Sequence, residues 1–377
     1  MTVAFVTCFF LLQSLTPEVI EHAQAGAEAQ QQGRFELAIQ EFRKVTALQP
    51  DSAAGYANLG NAYFQNRDYD AAIPELEHAL RLSPNLTGTH QALGVILLVQ
   101  GNAADALPHL EKTRDPGLLG LAYLETGRLG SAIMALQAAL ERQPNDPDLL
   151  YYFGRATGLA AKRTLDQLAA MKPDLTQKPD LTQKKIPAQD VGTLQMALAK
   201  RPDDPALLLD FNRSATLASM QAFDKVIKTS AGSARSHQVA AERYVETGRL
   251  PAAELEYAES VRLNPYTSGV HMALGNILSA EGKWPGAVAQ FQMESKLRPR
   301  SAEALYRLGS ALLQQGQAKD TVRAEQAWIR LLAIDQKSDF AAQAHFGLAA
   351  LYRNAGKTAI ADREMALYQE LKTGGQH

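Results

Sequence analysis

The sequence predicts an all-α chain, an α-solenoid of antiparallel helix pairs with about eight clear and two degenerate repeats. Three observations carry that expectation. Short apolar motifs recur at a fixed interval: Gly26, Gly60 and Gly94 stand 34 residues apart, as do Gly120 and Gly154, and again Gly275 and Gly309. Within each interval the apolar residues fall three and four apart, the spacing of one helix face. Ala, Leu, Gln and Glu dominate and β-branched runs are few, a composition that favours helix over strand. A fixed period of this length means units that cannot bury their apolar faces alone and stack on their neighbours.

Ala53–Pro84 shows the pattern most completely. Tyr56, Leu59, Gly60 and Tyr63 share one face of a first helix, and Ala72, Leu76 and Ala79 share one face of a second. Asn66-Arg67-Asp68 is a polar turn between them, and Pro84 ends the second helix because it cannot continue one. Gly60 and Ala72 are small where the two helices approach closely. The preceding unit opens at Thr16-Pro17-Glu18, an N-cap, a first-turn proline and a first-turn acid, and carries Gly26, Ala38, Phe42 and Pro50. The third, from Thr87, has Leu93-Gly94, Gly101, Ala106 and Leu110, but Asp115-Pro116 cuts it short. The fourth has Leu119-Gly120, Tyr123, Gly127, Ala132, Leu136, Ala139 and Pro144. The fifth opens at Asp146-Pro147 with Phe153-Gly154, and a short second helix is expected over Ala161–Met171.

The pattern then breaks. Lys-Pro-Asp-Leu-Thr-Gln occurs twice in succession within 172–184, and its prolines exclude helix, so the segment reads as an exposed insertion. Helix resumes over Gln189–Lys200, and two further helices are expected at Pro205–Leu217 and Ser219–Thr229, two degenerate pairs. Clear units return at Ala234, Ser268 and Ala302, with a last pair from Ala342 to Leu371. The expected organisation is an apolar leader-like segment at 1–16, a first array at 17–171, an insertion at 172–188, degenerate repeats at 189–233, a second array at 234–372 and a tail at 373–377.

The spacing of Tyr56, Leu59-Gly60, Tyr63, Ala72, Leu76 and Pro84 resembles the tetratricopeptide repeat (TPR), and the resemblance covers 17–171 and 234–371 well and 188–232 weakly. It implies a right-handed superhelix whose first helices line a concave groove that holds a segment of another protein. The groove residues it implies are Asn58, Asn61, Phe64 and Gln65, then Gln91, Val95, Leu98 and Val99, then Leu121 and Leu124, then Tyr151, Tyr152 and Arg155. Apolar side chains on such a face point to an apolar or amphipathic partner segment; the competing reading is that the chain's own N-terminal segment or self-packing covers them. Asn61 matches one member of the clamp by which some relatives grip a C-terminal carboxylate, but Ala23, Ala27, Gly88 and Ala92 stand where its other members belong, so no such clamp is expected.

Composition narrows the function classes. Net charge is −2 over 377 residues with no basic stripe, so no nucleic-acid footprint is expected. A single cysteine, Cys8, precludes an intrachain disulfide and a cysteine-based zinc site. Val3–Leu12 is almost wholly apolar, too short to span a bilayer but the length of a signal-peptide core, although no basic segment precedes it. It supports an exported, periplasmic or membrane-associated setting in a bacterial cell envelope, the alternative being cytoplasmic; membrane contact is expected only through this segment, and Phe5-Val6-Thr7 is a poor match to a lipidation site. His22, His90, His237, His271 and His345 occupy the same place in five repeats, the place of Tyr56. A planar side chain there packs between helices, and residues a repeat apart do not converge on one ion. No nucleophile–base set, phosphate loop or metal motif is present, so no catalytic, cofactor or metal site is expected. The function expected is a non-enzymatic scaffold or adaptor. The alternatives are a substrate-recruiting module for a separate glycosyltransferase or protease, and an enzyme with an unrecognised site in 188–232.

Overall fold

The computed structural model describes residues 16–171, 190–267 and 269–374. The apolar stretch before Thr16, with Cys8, the duplicated hexapeptide and the last three residues of the tail lie outside the described residues. Among the described residues the chain is nineteen α-helices and no strand, and no helix is long and apolar enough to cross a membrane. The helices pack as two units: one holds the residues up to Leu97 together with Asp105–Arg114, the other Leu98–Ala104 and everything from Asp115 onward.

The first unit contains α1 (Pro17–Gln31), α2 (Phe35–Leu48), α3 (Ala53–Gln65), α4 (Tyr69–Leu82), most of α5 (Thr87–Val99) and α6 (Ala103–Thr113). The expected start signals act as caps. Thr16 Oγ1 accepts from the Val19 amide at 3.4 Å, and Ser52 Oγ from the Gly55 amide at 3.1 Å. The seam of each pair is as tight as the small residues imply: a Cβ added to Gly60 would stand 2.7 Å from Leu76 Cδ2. Phe42, Leu76, Ala72 and Leu93 are buried in one continuous core. Each pair turns through a left-handed residue at the same place, Gly33 at φ 71° in the first repeat and Arg67 at φ 61° in the second. There the amide three residues past the helix reaches back, Arg34 to the Ala29 carbonyl at 2.8 Å and Asp68 to that of Tyr63 at 2.9 Å, closing the helix end.

In the second unit α7 (Pro116–Glu125) and α8 (Leu129–Arg142) form a regular pair, capped by Asp115 and turning at Gly127. So do α12 (Ala234–Glu246) with α13 (Leu250–Leu263), α14 (Val270–Ala280) with α15 (Trp284–Leu297), α16 (Ala302–Gln315) with α17 (Ala318–Ile334), and α18 (Asp339–Asn354) with α19 (Thr358–Gly374). Between them the expectation fails in an informative way. Ala161–Met171 is no second helix, since it continues α9 (Pro147–Met171) without a break. Nor do Pro205–Leu217 and Ser219–Thr229 form a pair, since both belong to α11 (Pro205–Thr229). The reason is local: the place of Gly127 in the fifth repeat is held by Ala161, a good helix former with nothing to stop the helix.

The two 25-residue helices pack along their length through small side chains. Gly154, Gly158 and Ala161 make one stripe, facing Asn212, Ala215 and Ser219. Ser219 Oγ donates to the Gly154 carbonyl at 2.8 Å, and Asn212 Nδ2 to the Ala161 carbonyl at 2.7 Å. A Cβ on Gly154 would lie 2.9 Å from Phe223, the contact that Gly60 makes with Leu76 in a regular repeat. One repeat is therefore assembled from 147–160 and 219–233. The rest, with α10 (Val191–Lys200), is a helical excursion inserted between its halves; Leu194, Leu198, Leu208 and Phe211 of that excursion share a core with Ile133 and Leu136 of α8.

Candidate functional site

The repeat histidines belong to the scaffold. Each reaches the second helix of its own pair nineteen residues on. His22, His237 and His345 each stand 2.6 Å from a carboxylate, Glu41, Glu256 and Glu364; His271 meets Gln290 at 2.6 Å and His90 meets His109 at 2.8 Å. The ring so closes the two helices of a pair with a hydrogen bond as well as by packing. Burial and the neighbouring His90 and Lys112 hold His109 below the usual imidazole range, which keeps that ring neutral. Among the described residues no three His, Cys, Asp or Glu side chains gather as metal ligands.

The residues expected to line a groove divide by environment. On the first unit Asn58, Gln65 and Gln91 are exposed, while Asn61, Phe64 and Val95 are half-buried, Phe64 against the Tyr69 ring at 6.1 Å. On the second unit Leu98, Val99, Leu121 and Tyr152 line a single cavity of about 290 Å³ together with Asp148, Arg235 and Glu294. Arg155 is exposed, its guanidinium 5.9 Å from the Tyr151 ring.

Three of the expected groove residues are buried: Leu98, which at 6% exposed still borders the cavity, and Leu124 and Tyr151, which belong to the core. Leu124 is 6% exposed and packs with Leu129, Ile133 and Leu136. Tyr151 is 2% exposed because α12 packs directly on α9. Its hydroxyl donates to Glu242 Oε1 at 2.6 Å and accepts from Gln238 Nε2 at 2.6 Å. Burial, reinforced by the Glu242 carboxylate, pushes the Tyr151 phenol well above its ordinary range, so it stays protonated. Both side chains fell on the expected face by spacing alone, but α12 covers Tyr151 and the core shared with α8 takes in Leu124.

The charged floor of the cavity was not expected from the sequence. Arg235 donates through Nε to Asp148 Oδ1 at 2.7 Å and through Nη1 to Gln238 Oε1 at 2.5 Å, and lies over the Tyr151 and Tyr152 rings at 4.2 and 5.1 Å. Burial works against its charge, but Tyr152, Asp148 and Tyr151 outweigh that and hold it above its usual value. Arg298 Nη2 stands 3.7 Å from Glu125 Oε2, and its Nε 3.9 Å from Glu294 Oε1. Glu294 is 2% exposed, and its Oε2 has no hydrogen-bond partner. It occupies the place of Ala79 and Ala139 in other repeats, and a carboxylate at a place that is uncharged in the other repeats was the available signal.

Tetratricopeptide repeat profiles match residues 30–67, 53–86, 118–157 and 272–339 of the chain. The chain is a tetratricopeptide repeat protein. This TPR protein is 29% identical over 90 residues to small glutamine-rich tetratricopeptide repeat-containing protein 2 of Saccharomyces cerevisiae, a match that covers 24% of the chain and 26% of the relative. It is 34% identical over 79 residues to anaphase-promoting complex subunit cut9 of Schizosaccharomyces pombe, covering 21% and 12%. The matched stretches thus span about a quarter or less of either relative's length. Among solved structures, that of YrrB, described as a TPR protein with an unusual peptide-binding site, aligns with a TM-score of 0.37 at 16% identity, over 49% of this chain and 94% of that one. The TPR fold generally mediates interactions between proteins.

Proposed function

We propose that this TPR protein is a non-enzymatic adaptor that holds an extended segment of a partner protein against the inner cavity of its second unit. The observation that supports this is the cavity itself. Val99, Leu121 and Tyr152 are half-buried apolar or amphipathic side chains around an open space of about 290 Å³, beside charged groups with incomplete hydrogen bonding. Side chains that serve only the helix packing, such as Leu124 and Tyr151, are buried nearby, so those left at the rim are available to a partner. An apolar wall with a few fixed polar groups is the usual make-up of a peptide pocket.

Display of random twelve-residue peptides against the immobilised full chain tests the reading. Leu121→Trp fills the cavity from its half-exposed wall and should abolish retention of the enriched peptides while the circular dichroism spectrum stays that of the unsubstituted protein. Equal enrichment on the filled variant would refute the assignment.

A further inference from the structure

The charges around the cavity do not balance. Glu125, Asp148 and Glu294 line it on one side of the ledger, Arg235 and Arg298 on the other. Arg235 is fully engaged by Asp148, Gln238 and the two tyrosine rings. That leaves Arg298 alone between two carboxylates, Glu125 at 3.7 Å and Glu294 at 3.9 Å, both beyond hydrogen-bond reach. Glu294 is 2% exposed and its Oε2 is unpartnered. One carboxylate is therefore buried beside the cavity without a full counter-charge, an arrangement that normally carries a large desolvation cost.

The walls above this floor are aliphatic. Leu98, Leu121 and Leu297 border the same space. An occupant that matches both features has a long apolar stem and a cationic tip. A carboxylate or phosphate would meet the surplus negative charge, and a purely aliphatic side chain would leave Glu294 uncompensated.

Resting on the reading that the cavity holds a partner segment, we infer that the partner is anchored there by a lysine or arginine side chain, its stem along Leu98, Leu121 and Leu297 and its cation beside Glu294 and Glu125. The cation supplies the missing counter-charge, and the aliphatic walls keep water from competing for it. Burial holds the Glu294 carboxyl above its usual range, against the pull of Arg298 and His271, and a cation placed beside it would favour its charged form. A buried acid with a shifted carboxyl beside a cavity is a candidate binding group.

The test uses the full chain and three matched pools of synthetic twelve-residue peptides. Their central residue is lysine or arginine in the first pool, norleucine in the second and glutamate in the third, and equilibrium retention is measured for each. The basic pool should be retained about tenfold better than either other pool, the discrimination expected of one well-placed charge-assisted contact. Glu294→Gln should bring basic and norleucine pools to near parity without lowering the melting temperature; the conservative Glu294→Asp should restore part of the preference. Equal retention of all three pools, blocked throughout by Leu121→Trp, would overturn the basic anchor and leave the peptide cavity standing. A basic preference that survives both Glu294→Gln and Glu125→Gln would also overturn it, since the charge read would then lie elsewhere. Retention of no pool by any variant would overturn both the anchor and the cavity.

Discussion

Two pairs of helices in this molecule make the same internal contacts by different routes. In α3 and α4 the chain leaves the first helix at Arg67, held at φ 61°, and re-enters helix two residues later. In the composite repeat the chain does not leave: Ala161 stands at the turning place, α9 runs on, and the second half of the pair arrives only with Ser219 of α11. Yet Gly154 meets Phe223 as Gly60 meets Leu76. The lesson is that the seam of a repeat and its turn are separable. Small residues at the seam specify which helices pair, and a residue able to adopt the left-handed conformation specifies only where the chain reverses.

The comparison can be broken most severely at a seam. Gly60→Trp puts a large ring where even a Cβ would overlap Leu76, and overpacking of this kind costs about 3 kcal/mol or more; urea denaturation should show the loss, and an unchanged midpoint would mean that the seam has slack. Next comes the composite pair's own polar seam. Asn212 is 5% exposed and donates to the Ala161 carbonyl, so Asn212→Ala should cost about 1–3 kcal/mol, checked by the same melt. A smaller effect of opposite sign is expected at Glu294. Its folded carboxyl titrates above its unfolded value because of burial, so between those two values the native state holds a proton that the unfolded chain has released, and stability falls as pH rises through that window. Glu294→Gln should therefore melt higher than the unsubstituted protein at pH 7, and the gap should close below about pH 4, where the unfolded carboxyl is protonated too. The smallest effect is expected at the half-exposed His237–Glu256 pair, where Glu256→Gln should change stability by less than about 1 kcal/mol; a larger change would make the histidine link more than an accessory to packing.

Most of the repeat architecture was legible in the sequence because the seam glycines, the turn glycines and the closing prolines recur at one period. Gly26, Gly60, Gly94, Gly120, Gly275 and Gly309 all take the place their spacing assigns them. The composite repeat was not legible, since its halves lie far apart in the chain and Ala161, Asn212 and Ser219 carry no turn chemistry to mark the interruption. The cavity was legible only in its walls. Leu121 and Tyr152 follow from periodicity, but Arg235, Glu294 and Arg298 reach the same space from helices distant in sequence. Tyr151 and Leu124 were misplaced because a helical wheel shows which way a side chain points and not what packs on it.

The claim on which the rest depends is that 147–160 and 219–233 form one repeat and that 161–218 is an excursion within it. Replacing 161–218 by Gly-Arg-Leu-Gly-Ser, a copy of residues 127–131 that carries a working turn, tests it directly. Circular dichroism through a urea titration should show a soluble chain that loses only the helix removed and unfolds in one cooperative transition. A chain that is unfolded, or whose signal declines without a transition, would contradict the account.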